Sequence, residues 1–177
     1  MDRRGDCAAD EGGARLIDKD AFCAQIRRCE RAMYALAFSL TRNDADAADV
    51  IGEAICRAYK NCGTLRDEKA FKAWVLQIVH HTAVEYIRKN AHTLPIEDAD
   101  AVGTDGGSGI DTAVSLRMAV ECLKQPYRTA IVLYYYEDMS VAEIARITKT
   151  STAAVKKQLS RAREQLRESL KEDFRDA

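Results

Sequence analysis

Apolar residues recur at intervals of three or four along most of the chain, and the strict alternation typical of β-strands is nearly absent. Such stripes predict amphipathic helices that each bury one face against a core. We therefore expect an all-α protein made of two small helical domains. Helices are expected over residues 19–41, 45–61, 69–90, 113–124 and 126–139, followed by a helix-turn-helix over residues 140–171.

The stretch from Ser140 to Lys171 combines a short helix, a polar turn and a long helix with an apolar seam. Ser140 and Glu143 have the spacing of a capping box, and Ser151 or Thr152 can cap the long helix. The outer face of the long helix carries Lys156, Lys157, Gln158, Ser160, Arg161 and Arg163. A basic, amide-bearing helix of this kind fits the major groove of DNA, although a plain helical hairpin has the same pattern.

The second predicted helix has two faces that differ in character. Asp44 or Asp46 is expected to cap it. Its inward positions are expected to be Ala48, Ile51, Ile55, Ala58 and Tyr59. Its polar face carries Asp46, Asp49, Glu53, Arg57 and Lys60, which form either a solvated surface or a docking surface for a basic partner.

The third predicted helix follows a loop over residues 62–68. Trp74 is expected to belong to the core. The loop and the basic outer side of this helix could hold unpaired bases and phosphate. Further along, the three tyrosines at 134–136 cannot all be buried, and Tyr134 and Tyr135 are expected to pack inward.

Composition divides the chain into two mildly basic bodies and two acidic segments. Residues 93–113 contain five acidic residues and no Lys or Arg, and they include Pro95 and four glycines. This pattern predicts a flexible linker over residues 92–112 between domains at 19–91 and 113–177, after a disordered leader at 1–18. Residues 21–92 carry eleven basic against eight acidic residues, and residues 114–177 carry twelve against nine. So small an excess predicts weak intrinsic DNA affinity and dependence on a partner.

Sequence signals for catalysis, cofactors and membranes are weak. The common nucleotide-binding, hydrolase and zinc-protease motifs are absent, and no cofactor is expected. His80, His81 and Glu85 are the best metal candidates, although adjacent histidines on a helix point about 100° apart. The six cysteines lack paired spacing and are expected to be mostly small buried hydrophobes in a reducing compartment. No apolar run is long enough for a membrane span and no signal peptide is evident, which favours the cytoplasm.

Three blocks of the sequence resemble the extracytoplasmic-function (ECF) group of bacterial RNA polymerase sigma factors. DAADVIGEAICRAYK (residues 46–60) is similar to the helix with which that family binds core polymerase. AFKAWVLQIVHHTAVEYIRK (residues 70–89) is similar to its helix for promoter melting and minus-10 recognition. YYYEDMSVAEIARITKTSTAAVKKQLSRAREQLRESL (residues 134–170) is similar to its minus-35 helix-turn-helix.

The resemblance implies a non-enzymatic protein whose partners are core RNA polymerase, promoter DNA and an anti-sigma factor. It assigns polymerase binding to Asp46, Asp49 and Glu53. It assigns contact with the minus-10 non-template strand to Arg66, Lys69, Lys72, His81, Glu85, Arg88 and Lys89. It assigns the minus-35 duplex to Ser151, Thr152, Lys156, Lys157, Ser160 and Arg161.

Some positions depart from the family pattern. The family usually has Asn at the position of His81 and Asp at that of Glu85, so the minus-10 preference is expected to be unusual. In the turn, Lys149 replaces the usual Gly, and a left-handed Lys149 would be strained. Two other functions remain open at this point: a helix-turn-helix regulator that binds duplex DNA without polymerase, and a metal-dependent enzyme using His80, His81 and Glu85.

Overall fold

The computed structural model describes residues 18–65, 67–90 and 112–173, where every regular element is helical. Helices α1 to α7 span Lys19–Thr41, Asp44–Lys60, Phe71–Asn90, Thr112–Cys122, Tyr127–Ile131, Val141–Thr148 and Thr152–Asp173. Two 3-10 turns, Cys62–Thr64 and Glu68–Ala70, precede α3, and a π-helical segment, Val132–Tyr136, continues α5. The all-α prediction is confirmed, while the leader and the linker fall almost entirely outside the described residues.

Helices α1, α2 and α3 form an N-terminal body whose starts are fixed by polar caps. The side chain of Asp18 accepts a hydrogen bond from the amide of Ala21 at 2.7 Å and so begins α1. The prediction that Asp44 or Asp46 caps α2 is wrong, because Asn43 accepts from the Asp46 amide at 3.0 Å. Helix α1 ends in a left-handed residue, and Asn43 is the extended residue that follows it.

The buried face of α2 is rotated from the one expected. Its buried residues are Ala47, Val50, Ala54 and Ala58, whereas Ala48 is exposed and Ile51 and Ile55 are only half-buried. The small alanines sit between α1 and α3 and let the three helices approach closely, so the larger isoleucines lie at the edge of the contact. The expectation for Tyr59 holds in part, since its ring packs edge-on against Phe22 at 5.4 Å between centroids.

Helices α4 to α7 form a C-terminal body that contains the expected helix-turn-helix. The capping box is present: the Ser140 amide donates to the Glu143 carboxylate at 2.9 Å, and the Glu143 amide donates to the Ser140 hydroxyl at 3.3 Å. Helix α6 ends at Lys149, which adopts the left-handed conformation with φ 54°. Ser151 accepts from the Ala154 amide at 3.1 Å and so caps α7. These local predictions are confirmed.

The tyrosine run at 134–136 departs from the expectation. All three side chains are exposed, so the inward packing predicted for Tyr134 and Tyr135 is wrong. The reason is the π-helical turn, in which the amide of Glu137 bonds to the carbonyl of Val132 at 3.1 Å. A π turn accommodates one more residue than an α turn and changes which side chains face the core. Val132 and Leu133 are buried instead.

The two bodies are packed against each other in a continuous apolar core. Helix α3 lies against α6, and the end of α1 contacts α5 and the π-helical segment. Polar contacts join the same surfaces. The Lys72 ammonium lies 3.0 Å from the Glu137 carboxylate, and the Gln125 amide donates to the Ser39 carbonyl at 2.5 Å. Helix α3, expected to meet DNA, is therefore partly covered by the C-terminal body.

The left-handed Lys149 gives a stability prediction. We expect Lys149→Gly to raise the free energy of unfolding by about 1 kcal/mol, because glycine adopts φ 54° without the steric cost that a Cβ imposes. Chemical denaturation measures the change. The matched control is Lys157→Gly in the interior of α7, which should destabilise by about 1 kcal/mol. Equal destabilisation by both variants would contradict the assigned strain.

Candidate nucleic-acid and polymerase interface

The outer face of α7 is the most accessible basic surface proposed for DNA. Lys156, Lys157, Ser160 and Arg161 are all exposed, while Val155, Leu159 and Ala162 are buried on the opposite side. Ser151 and Thr152 lie exposed at the start of the helix. The structure thus brings all six residues of the predicted minus-35 set onto the same helix and its cap.

Arg161 has a partner that the sequence did not indicate. Its guanidinium donates to the hydroxyl of Tyr127 at 3.4 Å, a contact between α7 and the start of α5. The bond holds the arginine toward α5. Lys156 and Lys157, one turn earlier, are the more freely presented cations of this face.

The predicted minus-10 set is divided by the structure. Lys69 is exposed in the 3-10 turn before α3, and Arg88 and Lys89 are exposed in its last turn. Lys72 is bound to Glu137, with a further hydrogen bond to the Glu137 carbonyl at 2.9 Å. Arg66 lies outside the described residues. Lys72 is therefore engaged by the C-terminal body in this arrangement.

His81 and Glu85 belong to a charged network that connects α3 with α2. The Arg57 guanidinium donates to the Glu53 carboxylate at 2.7 Å and to the Glu85 carboxylate at 2.6 Å, and the His81 Nε2 lies 3.6 Å from Glu85. The hydrogen bonds to Arg57 hold the pKa values of Glu53 and Glu85 below their usual range. Glu53, which is predicted to bind polymerase, therefore shares one network with His81 and Glu85, which are predicted to contact DNA.

Arg57 is the residue that sequence reasoning undervalued. The sequence pattern places it on the polar face of α2 and indicates no role for it, yet it connects the two carboxylates. Its spacing of four from Glu53 was a local signal for the first contact. No local pattern indicates the second contact, because Glu85 is 28 positions away.

The other two residues predicted to bind polymerase, Asp46 and Asp49, differ in exposure and in hydrogen bonding. The Tyr86 hydroxyl donates to the Asp46 carboxylate at 2.7 Å, and this bond raises the pKa of Tyr86. Asp46 is half-buried, while Asp49 is exposed one turn further along the helix. The acidic surface is thus anchored at Asp46 and Glu53 and open to solvent at Asp49.

His80 faces the junction between the bodies. Its burial, followed by the charges of His81 and Lys149, lowers its pKa to about 4, so the side chain is neutral at pH 7. Among the described residues, no group of three or more His, Cys, Asp or Glu side chains could hold a metal ion. The hypothesis of a metal-dependent enzyme built on His80, His81 and Glu85 therefore has no ligand set in this part of the chain.

Two further expectations have mixed or limited outcomes. Cys7 lies outside the described residues. Of the other five, Cys29 and Cys62 are buried, Cys23 is half-buried, and Cys56 and Cys122 are exposed, so the prediction of mostly buried thiols holds only for part of these five. Within the described ranges, no helix combines the length and apolarity that a membrane crossing requires.

Comparison with known proteins identifies the family. The model of Sigma-70 region 2 matches residues 25–93, and that of Sigma-70, region 4 matches residues 113–166. The sigma factor SigV of Bacillus subtilis is 35% identical over 145 residues, covering 80% of this chain and 86% of that protein. The ECF sigma factor SigW of the same organism is 31% identical over 172 residues, covering 88% of this chain and 91% of that protein.

Two solved structures share the fold. The sigma factor RpoE of Bartonella quintana, in complex with the anti-sigma factor NepR, has a TM-score of 0.69 and is 24% identical in sequence. The match covers 87% of this chain and 98% of the RpoE chain. CnrH, in complex with the cytosolic domain of CnrY, has a TM-score of 0.64 and is 22% identical in sequence. The match covers 88% of this chain and 91% of the CnrH chain.

The chain therefore belongs to the sigma-70 family, in its extracytoplasmic-function group. It is an alternative sigma factor, as the three sequence blocks implied.

The charged network gives a prediction for titration. We expect Arg57→Gln to raise the pKa of the Glu85 carboxyl toward its usual value, because the charge-assisted bond is lost. A folded-state pKa below the unfolded value stabilises the fold above the unfolded pKa, and this contribution is lost as pH falls through the folded pKa. When the pH is lowered through the range in which Glu85 titrates, the variant should therefore lose less stability than the wild type. Carbonyl-detected NMR titration measures the change directly.

Glu143 provides an internal control for that titration. Its pKa is lowered mainly by the hydrogen bonds from Ser140, with no contribution from Arg57, and should be unchanged in the variant. A Glu85 pKa that is the same in both proteins would contradict the network.

Proposed function

We propose that this sigma factor binds core RNA polymerase, directs it to a subset of promoters and helps to open the DNA, without catalysing a reaction itself. The observation that carries the proposal is the exposed cationic face of α7 in a capped helix-turn-helix. A second, acidic surface on α2 has the opposite charge and suits a protein partner. The two surfaces separate the tasks of reading DNA and docking on polymerase.

In this proposal α7 enters the major groove at the minus-35 element. Lys156 and Lys157 contact bases or phosphates, and Ser160 and Arg161 lie one turn further along the same face. Ser151 and Thr152, at the start of the helix, lie near the backbone, where the positive end of the helix dipole favours phosphate.

Promoter melting is assigned to α3 and the loop before it. Arg66, Lys69 and Lys72 would meet the minus-10 non-template strand together with His81, Glu85, Arg88 and Lys89. Capture of unpaired bases replaces an external energy source. Because Lys72 is bound to Glu137 and α6 lies against α3, the C-terminal body has to move away before this surface receives DNA. An anti-sigma factor that stabilises packed bodies would oppose this step.

Polymerase docking is assigned to Asp46, Asp49 and Glu53, and the site of action is the cytoplasm, where polymerase and chromosome are found. The acidic surface matches a basic surface on the partner. The weak net basicity of both bodies is consistent with a protein that relies on polymerase for DNA affinity.

Reconstituted transcription tests the proposal. Core polymerase with this protein should initiate at a defined set of promoters from a pool of genomic fragments, whereas core polymerase alone should not. Unchanged, non-specific transcripts would contradict the proposal. Specific retention of a duplex by the protein alone, without polymerase, would instead favour the stand-alone regulator.

The acidic surface gives a binding prediction. Asp49→Lys combined with Glu53→Lys should abolish co-purification with core polymerase, because like charges then face the partner. The matched control is Glu164→Lys with Glu168→Lys on α7, which makes the same change in charge on exposed positions of the other body. Circular dichroism should show the same helix content in both variants. Retained binding by the α2 variant would refute the docking assignment.

The basic face gives a specificity prediction. If Lys157 reads a base edge, Lys157→Ala should cost about 1–3 kcal/mol at one minus-35 position and relax preference there. Selection from randomised minus-35 duplexes by the holoenzyme measures the preference. Lys171→Ala, near the far end of α7, is the control and should leave it unchanged. A uniform loss across all sequences would identify Lys157 as a phosphate contact.

A further inference from the structure

A cavity of about 330 Å³ lies at the junction of the two bodies, between the end of α1 and the elements α4, α5 and the π-helical segment. Its volume is at the lower end of the range, about 300–1,000 Å³, that small-molecule sites occupy. Three arginines line it: Arg42 from the N-terminal body, and Arg117 and Arg128 from the C-terminal body. Neither the polymerase surface nor the DNA surface includes this cavity.

Arg128 is the unusual member of the three. Its side chain is only 7% exposed, and its Nε is buried without a hydrogen-bond partner. One terminal nitrogen donates to the Glu121 carbonyl at 3.0 Å, at the end of α4. A guanidinium stays charged in proteins, and a buried charge without a carboxylate partner is costly. Burial, and then the nearby charge of Arg42, lowers the pKa of Arg128, which reflects the same cost.

The charges around the cavity do not balance. Its lining carries two carboxylates, Asp44 and Glu121, against the three arginines, which leaves a net charge of +1. Asp44 accepts a hydrogen bond from the Tyr34 hydroxyl, and Glu121 lies 3.5 Å from the Nε of Arg117. The remaining cations are Arg42 and Arg128.

The rest of the cavity wall is largely apolar or aromatic. Its apolar and aromatic members are Ala35, Phe38, Val120, Val132 and Tyr136, and Ser39 and Asn43 complete it. A bare inorganic ion would leave this surface without contacts. An anion attached to an apolar body would satisfy both parts of the wall.

We propose that this cavity binds a small organic anion, whose carboxylate or phosphate group pairs with Arg128 and Arg42 while its apolar body lies against Phe38 and Val132. Arg42 belongs to one body and Arg128 to the other, so one ligand contacts both. A ligand that binds only the packed arrangement stabilises it by RT ln(1 + L/Kd), where L is the free ligand concentration and Kd its dissociation constant. The ligand therefore opposes separation of the two bodies.

The first test is thermal unfolding of the full chain with four probes at constant ionic strength. Benzoate and phenyl phosphate carry an anionic group on an aromatic body, benzamide lacks the charge, and inorganic phosphate lacks the apolar body. We expect benzoate or phenyl phosphate to raise the melting temperature, with benzamide and inorganic phosphate giving little change. The more effective of the first two identifies the preferred head group. No shift with either of them, or an equal shift with inorganic phosphate, would overturn the proposal.

Variants then locate the binding. Arg42→Gln should weaken binding of the effective probe at least about tenfold by calorimetry, because half of the charge pairing is removed. Arg42 is exposed at the end of α1, so this change should leave the fold intact. The matched control, Arg31→Gln, is an exposed arginine of α1 that does not line the cavity, and it should bind as the wild type does. Equal affinities of the two variants would overturn the assignment.

A direct readout on the wild-type protein completes the test. The Nε–H resonance of Arg128 should shift when the probe binds, because an anion then lies beside the guanidinium that lines the cavity. Arg128→Gln should remove the response to the probe. If the resonance stays in place while the probe binds elsewhere, Arg128 serves only to cap α4 through the Glu121 carbonyl and the proposal fails.

Discussion

Burial of apolar side chains across the junction of the two bodies is the constraint on which the rest of the structure depends. Ile144 and Ile147 of α6 belong to the same core as Val75 and Val79 of α3. Water is excluded from this region, so every polar group near it needs a partner. The contacts of Lys72 with Glu137 and of Gln125 with Ser39 satisfy this requirement at the edge of the core.

The same constraint organises the charged surfaces. Where a face is free of the junction, as on the outer side of α7, its cations remain exposed to solvent. Where two helices approach each other, as α2 and α3 do, the charges pair instead, and Arg57 holds Glu53 and Glu85 together. If a partner binds the charged surface shared by α2 and α3, its contacts must replace the ion pairs that Arg57 makes within the protein. The outer face of α7 has fewer internal ion pairs and hydrogen bonds to replace.

Local pattern predicted much of this fold, because helix periods, the capping box and the Ser151 cap depend on residues three or four apart. The buried face of α2 was missed because alanine carries little hydrophobic signal, and Ile51 and Ile55 drew the expected face toward themselves. The Arg57–Glu85 and Lys72–Glu137 pairs join residues distant in sequence, so no periodicity encodes them. The six residues assigned to the minus-35 duplex could be predicted together because α7 and its cap carry all of them.

The π-helical turn at Val132–Tyr136 has a geometric consequence for the helices that follow it. An α-helix advances about 100° and 1.5 Å per residue, and a π turn holds one residue more. Deleting one residue here would restore regular α-helical winding and rotate everything downstream by roughly a quarter turn. Helix α6 would then lose its packing against α3. The number of residues in this turn therefore sets the orientation of the helices that follow it.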